Sequence, residues 1–105
     1  MYIIELTYEK NLDEVEKYLS EHKIFLDKYY KKNIFICSGR KNPRNGGIIL
    51  CKAKNLEEIK AIIQEDPFNR ENIAKYRVIN FEPSKYKEEF KHIILIIAFI
   101  ILPIR

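Results

Sequence analysis

Three glycines among 105 residues are too few for a phosphate-cradling loop, and they do not fall into one. Gly39 stands alone and Gly46 and Gly47 are adjacent, so neither a P-loop nor a dinucleotide-binding fingerprint occurs. Cysteine is as scarce. Cys37 and Cys51 have no metal-ligand spacing and no histidine pair beside them, so no metal and no organic cofactor is expected. The chain opens Met1-Tyr2-Ile3-Ile4 and reaches an acid at Glu5 without a basic region, which argues against a signal peptide. Two free thiols then fit a reducing compartment, and the expected location is cytoplasmic. Ile93 to Leu102 is an unbroken apolar run, but it is about half the ~20 residues a membrane-spanning helix needs.

What is present describes an ordinary globule with one core: 47% hydrophobic residues, 32% charged, and a formal net charge of +4. A basic excess invites a nucleic-acid reading, but lysine and glutamate alternate through Glu16-Lys17, Glu57-Glu58-Lys60 and Lys85-Lys87-Glu88. Such alternation marks solvated helix faces.

Tyr2, Ile4, Leu6 and Tyr8 alternate with Ile3, Glu5 and Thr7, which is the period of a strand. Asn11 offers a helix N-cap with Glu14 as its reciprocal partner. The helix carries Leu12, Val15, Leu19, His22, Leu26 and Tyr29 on one stripe and should close at Lys31-Lys32, with Asn33 left-handed. Ile34–Ser38 and Ile48–Ala53 read as strands of a hairpin, with a polar tip over residues 40–47. Asn55-Leu56-Glu57-Glu58 repeats the cap pattern and starts a second helix that Asp66-Pro67 stops. Residues 69–75 read as a turn or short helix, and Tyr76–Glu82 alternates again before Pro83.

The order strand, helix, strand, strand, helix, strand predicts an α+β, ferredoxin-like βαββαβ sandwich, with a four-stranded antiparallel sheet carrying two helices on one face. The hairpin strands, read as central, are apolar on both sides: Ile34 and Ile36 oppose Phe35 and Cys37, and Ile48 and Leu50 oppose Ile49 and Cys51. The second face must then be covered, most simply by another copy, so a homodimer is expected.

His22 lies on the apolar stripe of the first helix, an awkward place for a side chain that titrates near neutral pH. Asp66, where the second helix ends, can approach it. A carboxylate on one ring nitrogen fixes the tautomer and leaves the other nitrogen to take or give a proton. Ser38 presents a hydroxyl at a sheet margin beside Gly39, which lets a ligand come close to the backbone. Each feature also has a plain structural account. A histidine on such a stripe is more often a satisfied core residue, Asp-Pro initiates turns, and Ser-Gly commonly ends a strand.

Taken together, His22-Lys23-Ile24-Phe25-Leu26, Ser38-Gly39, Gly46-Gly47, Asp66-Pro67-Phe68 and the closing Tyr76, Phe81 and Pro83 resemble the YCII-related (YciI-like) family. The resemblance covers roughly Tyr2 to Tyr86 and implies a domain over residues 1–86 that dimerises into an α/β barrel. It implies a histidine–aspartate centre at His22 and Asp66, with Ser38 lining the same cavity. It also points to Gly39, Arg44 and Phe68 as substrate contacts. A family relative removes chloride from a hydroxylated ring, and muconolactone isomerases share the barrel, so the implied substrate is a hydroxylated ring or lactone-like metabolite. Two positions depart from the family pattern: Asn33 where glycine is frequent, and Arg40 where proline is common. With Arg44, Arg40 could suit an anionic ligand at the pocket rim, but the favoured reading of both arginines is a solvated loop.

Residues 87–105 read as a C-terminal extension whose apolar run needs burial by its own fold or by a partner subunit. Two other functions compete with the enzyme: a non-catalytic cavity that holds a small ligand, and RNA binding through the same strand order. The latter stacks bases on aromatics of central strands, and Gly47–Lys52 carries none, so no nucleic-acid partner is expected.

Overall fold

The computed structural model describes residues 1–94. The apolar run at 93–102 therefore lies outside the described residues but for its first two members. In chain order the elements are β1 (Tyr2–Tyr8), α1 (Leu12–Lys31), β2 (Phe35–Arg40), β3 (Gly46–Cys51), α2 (Leu56–Gln64), α3 (Pro67–Arg70) and β4 (Ala74–Asn80), followed by a single 3-10 turn at Glu88–Phe90.

The four strands form one antiparallel sheet in the order β2-β3-β1-β4. The central strands are thus β1 and β3, and β2 is an edge strand rather than the inner strand its apolar run suggested. In register, Ile4 stands between Ile49 of β3 and Val78 of β4, and Tyr2 pairs with Cys51. These side chains face the helices. Val15, Phe25 and Tyr29 of α1 and Ile59 and Ile62 of α2 join Ile4, Leu6, Phe35 and Ile49 in one core, so both long helices cover the same sheet face.

Local chemistry explains the boundaries. The Asn11 side chain accepts from the Glu14 N–H at 3.0 Å, but the Glu14 carboxylate pairs with Lys17 instead of returning the cap, so only half of the capping box forms. Asn55 accepts from the Glu58 N–H in the same way. Asn33 closes α1 at φ 59, the left-handed conformation asparagine tolerates. Leu12 departs from the predicted stripe: it sits at the helix entrance and is exposed.

The hairpin differs most from expectation. Its strands run on to Arg40 and back from Gly46, so the tip shortens to residues 41–45 and both glycines join β3. Gly46 must be glycine, because a Cβ there would fall inside the Leu6 carbonyl group of the neighbouring strand. The register also shifts between Phe35 and Cys37. This bulge turns Cys37 to the outer face opposite Leu50 and brings Ser38, opposite Ile49, to the helix side. Cys37 and Cys51 consequently lie on opposite faces and both are free thiols. The short helix α3 starts at Pro67, two residues ahead of the predicted turn, and β4 starts at Ala74 rather than Tyr76.

Candidate active site

Asp66 caps α3: its Oδ1 accepts the Phe68 N–H at 3.0 Å, while Pro67 supplies the first helical residue, where no N–H is needed. The same oxygen accepts from His22 Nδ1–H at 2.8 Å, and Oδ2 accepts from the Tyr76 hydroxyl at 2.6 Å. Asp66 is fully buried, so these three donors offset the cost of removing a carboxylate from water. Burial, and then the Asp66 carboxylate beside it, push the Tyr76 hydroxyl well above the usual tyrosine range.

The His22 side chain is 12% exposed. Its ring lies flat on Phe68, with centroids 4.1 Å apart and planes within 6°. Phe68 thus supports the imidazole with one face, and with 1% exposure it shapes the floor of the site more than it offers contact area. With Nδ1 committed to Asp66, Nε2 is the ring nitrogen left for a ligand.

Contacts away from the pair hold α1 at this distance. Glu65, at the end of α2, accepts from Lys28 and from the Tyr29 hydroxyl, and Arg70 of α3 pairs with Glu21 at 2.9 Å. Lys28 foremost, with Tyr29, draws the Glu65 carboxyl below its ordinary range. Nothing in the sequence pattern singled out Glu65, whose partners are 36 and 37 residues away.

His22 opens on a cleft of about 250 Å³ between α1 and the β2–β3 end of the sheet. Ser38 and Gly39 line it, as do Gly46, Gly47 and an apolar wall that includes Leu19 and Leu26. The Ser38 hydroxyl is held 2.6 Å from the Tyr30 hydroxyl of α1. Tyr30 was not among the candidate residues, although it lies two helical turns beyond His22, on the same side of α1.

Arg44 is not part of this lining. Its guanidinium pairs with Glu16 at 2.6 Å, and the arginine in the cleft is Arg40. The tip at 41–45 turns Arg44 toward α1, whereas Arg40 is the last residue of β2 and shares the helix side of the sheet with Ser38. Among the described residues no group of three or more potential metal ligands occurs, and no helix is long and apolar enough to cross a membrane.

Fold and site together define an α+β domain whose two layers enclose a cleft with a histidine–aspartate pair at its wall. The chain belongs to the YCII-related domain family, whose model matches residues 1–82. Among solved structures it is similar to 5-chloro-2-hydroxyhydroquinone dehydrochlorinase (TftG) from Burkholderia phenoliruptrix AC1100, in complex with 2,5-dihydroxybenzoquinone. That likeness has a TM-score of 0.66 at 14% identity and covers 85% of this chain and 98% of the neighbour, so it is a likeness of fold. No curated protein matches the chain.

Proposed function

We propose that the cleft is the active site of a small-molecule enzyme in which His22 is the general acid or base. Asp66 orients the imidazole and balances its charge, and Ser38 hydrogen-bonds the substrate. The observation that carries this reading is the 2.8 Å bond between His22 Nδ1 and a fully buried Asp66, with the histidine opening on the cleft. A buried carboxylate holding one imidazole nitrogen fixes the tautomer whose Nε2 lone pair accepts a proton, and it stabilises the imidazolium that results. A satisfied core histidine would have no need of an adjoining cavity. The substrate class is a hydroxylated ring or lactone-like compound: the cleft has apolar lining that can take a ring, His22 and Ser38 line it as well, and the structural neighbour binds a hydroxylated ring.

The reading includes a homodimer in the cytosol. The outer face of the sheet carries an apolar row of Cys37, Leu50, Ile3 and Ile79, paired across all four strands, with Glu5 between Arg77 and Lys41 beside it. Packing two such rows together removes apolar surface from water and closes a barrel. Sedimentation tests the dimer, with Ile3→Lys expected to yield monomers.

The chemistry is tested by screening hydroxylated aromatics and lactones for conversion, with solvent deuterium incorporation as a second readout. Turnover should disappear in His22→Ala while circular dichroism stays unchanged. Unaltered turnover in that variant, or ligand binding with no conversion across the panel, overturns the catalytic role and leaves a binding cavity.

A further inference from the structure

The charges around the cleft are one-sided. Lys23 of α1 and Arg40 of β2 line it from opposite layers, and no aspartate or glutamate shares that lining. Arg44 pairs with Glu16 at 2.6 Å, Arg70 with Glu21 at 2.9 Å and Arg77 with Glu5 at 3.9 Å. Among the described residues, Arg40 is the arginine without a carboxylate within ion-pair distance, and Lys23 also has none. The register places Arg40 opposite Gly47, which brings no side chain of its own to pair with the guanidinium. A planar guanidinium with unused donors, sharing one cleft with an ammonium, matches a carboxylate, which accepts the two N–H groups of the fork in parallel.

We propose that Arg40 and Lys23 form an anion-holding end of the cleft, and that the substrate is a carboxylate-bearing ring compound held there with its reactive carbon toward His22. The assignment rests on the cleft being the substrate site. The carboxylate is then the group by which the cleft selects its substrate. The apolar wall takes the ring, the two cations take the carboxylate, and Nε2 of His22 meets the remaining edge. A neutral ring of the same size leaves both cations unpaired and gains only the apolar contact.

The test compares 2,5-dihydroxybenzoate with hydroquinone by calorimetry and by backbone amide shifts of the full chain. The carboxylate probe should bind roughly tenfold or more tightly, because bonds to charged groups carry most of the difference. Arg40→Gln combined with Lys23→Gln should bring the ratio of the two affinities close to one, and Arg40→Lys should restore part of it. His22→Gln should leave the ratio as it is. Equal affinity for both probes in the native chain, or a ratio unmoved by the double substitution, overturns the anion assignment alone. Shifts confined to residues outside the cleft with both probes overturn the cleft as a binding site, and the enzymatic reading with it.

Discussion

Replacing Asp66 tests how much of this fold depends on one carboxylate. Asp66→Ala removes the acceptor from three donors at once: His22 Nδ1–H, the Phe68 N–H and the Tyr76 hydroxyl. His22, at 12% exposure, can turn part of its polar edge to water and counts for little. The other two are more enclosed. Phe68 is 1% exposed and Tyr76 is partly buried against the core, so each unpaired donor costs about 1–3 kcal/mol. The Phe68 bond is also the helix cap, so the cap is not counted again. The expected loss is about 3–5 kcal/mol, a large part of the ~5–15 kcal/mol that holds a domain of this size.

Asp66→Asn distinguishes hydrogen bonding from mere bulk. Its amide oxygen still accepts the Phe68 N–H, and its NH2 group faces a Tyr76 hydroxyl that can rotate to accept. The expected loss is therefore smaller, about 1–2 kcal/mol. Urea unfolding at neutral pH measures both variants, and at a slope of about 2 kcal/mol per molar the alanine variant should shift the midpoint by roughly 2 M. An alanine variant that loses less than about 1 kcal/mol, or an asparagine variant as unstable as alanine, refutes the argument from unpaired donors.

Three further outcomes follow from the same contacts. Burial together with Asp66 raises the Tyr76 hydroxyl, and burial together with Glu65 raises that of Tyr29, so the fold retains protons that the unfolded chain gives up near pH ~10. Stability should be full below that pH and fall as pH rises beyond it; Tyr76→Phe should flatten the fall, and an unchanged alkaline profile counts against the Asp66–Tyr76 bond. Gly46→Ala should cost about 2 kcal/mol or more by driving a methyl into the Leu6 carbonyl, whereas Gly39→Ala, with open space around it, should stay within ~0.5 kcal/mol; equal melting temperatures would contradict the packing. Burial pushes the Cys51 thiol up to about 12, so iodoacetamide at pH ~8 should leave it unmodified until the chain unfolds, and rapid alkylation of Cys51 in the native protein would show that β3 opens.

The parts of this molecule that were legible in sequence are those set by neighbours along the chain. Asn11 and Asn55 each stand three residues before a glutamate, Pro67 cannot extend a helix, and Asn33 can turn left-handed. Each fixes an element boundary through contacts within one turn, and together they yield the order of strands and helices. The site's outline was legible for a related reason: His22 is anomalous on an apolar stripe, and Asp66 stands where Pro67 stops the second helix. What escaped depends on the extra residue between Phe35 and Cys37. Strict alternation puts Phe35 and Cys37 on one face and Ser38 on the other. The bulge inverts this, and with it which thiol is buried, which hydroxyl faces the helices and which arginine enters the cleft. A bulge is stabilised by what packs on both sides of it. Here that is Tyr30 from α1, reaching the Ser38 hydroxyl, and the Phe35 ring, edge-on to the rings of Phe25 and Tyr30. Those partners are up to ten residues away and belong to another layer, so a period read along one strand has no access to them. The same contacts that hide the bulge from the sequence place a serine in the cleft that the histidine lines, which is why the polar lining is assembled from two layers and from neither alone.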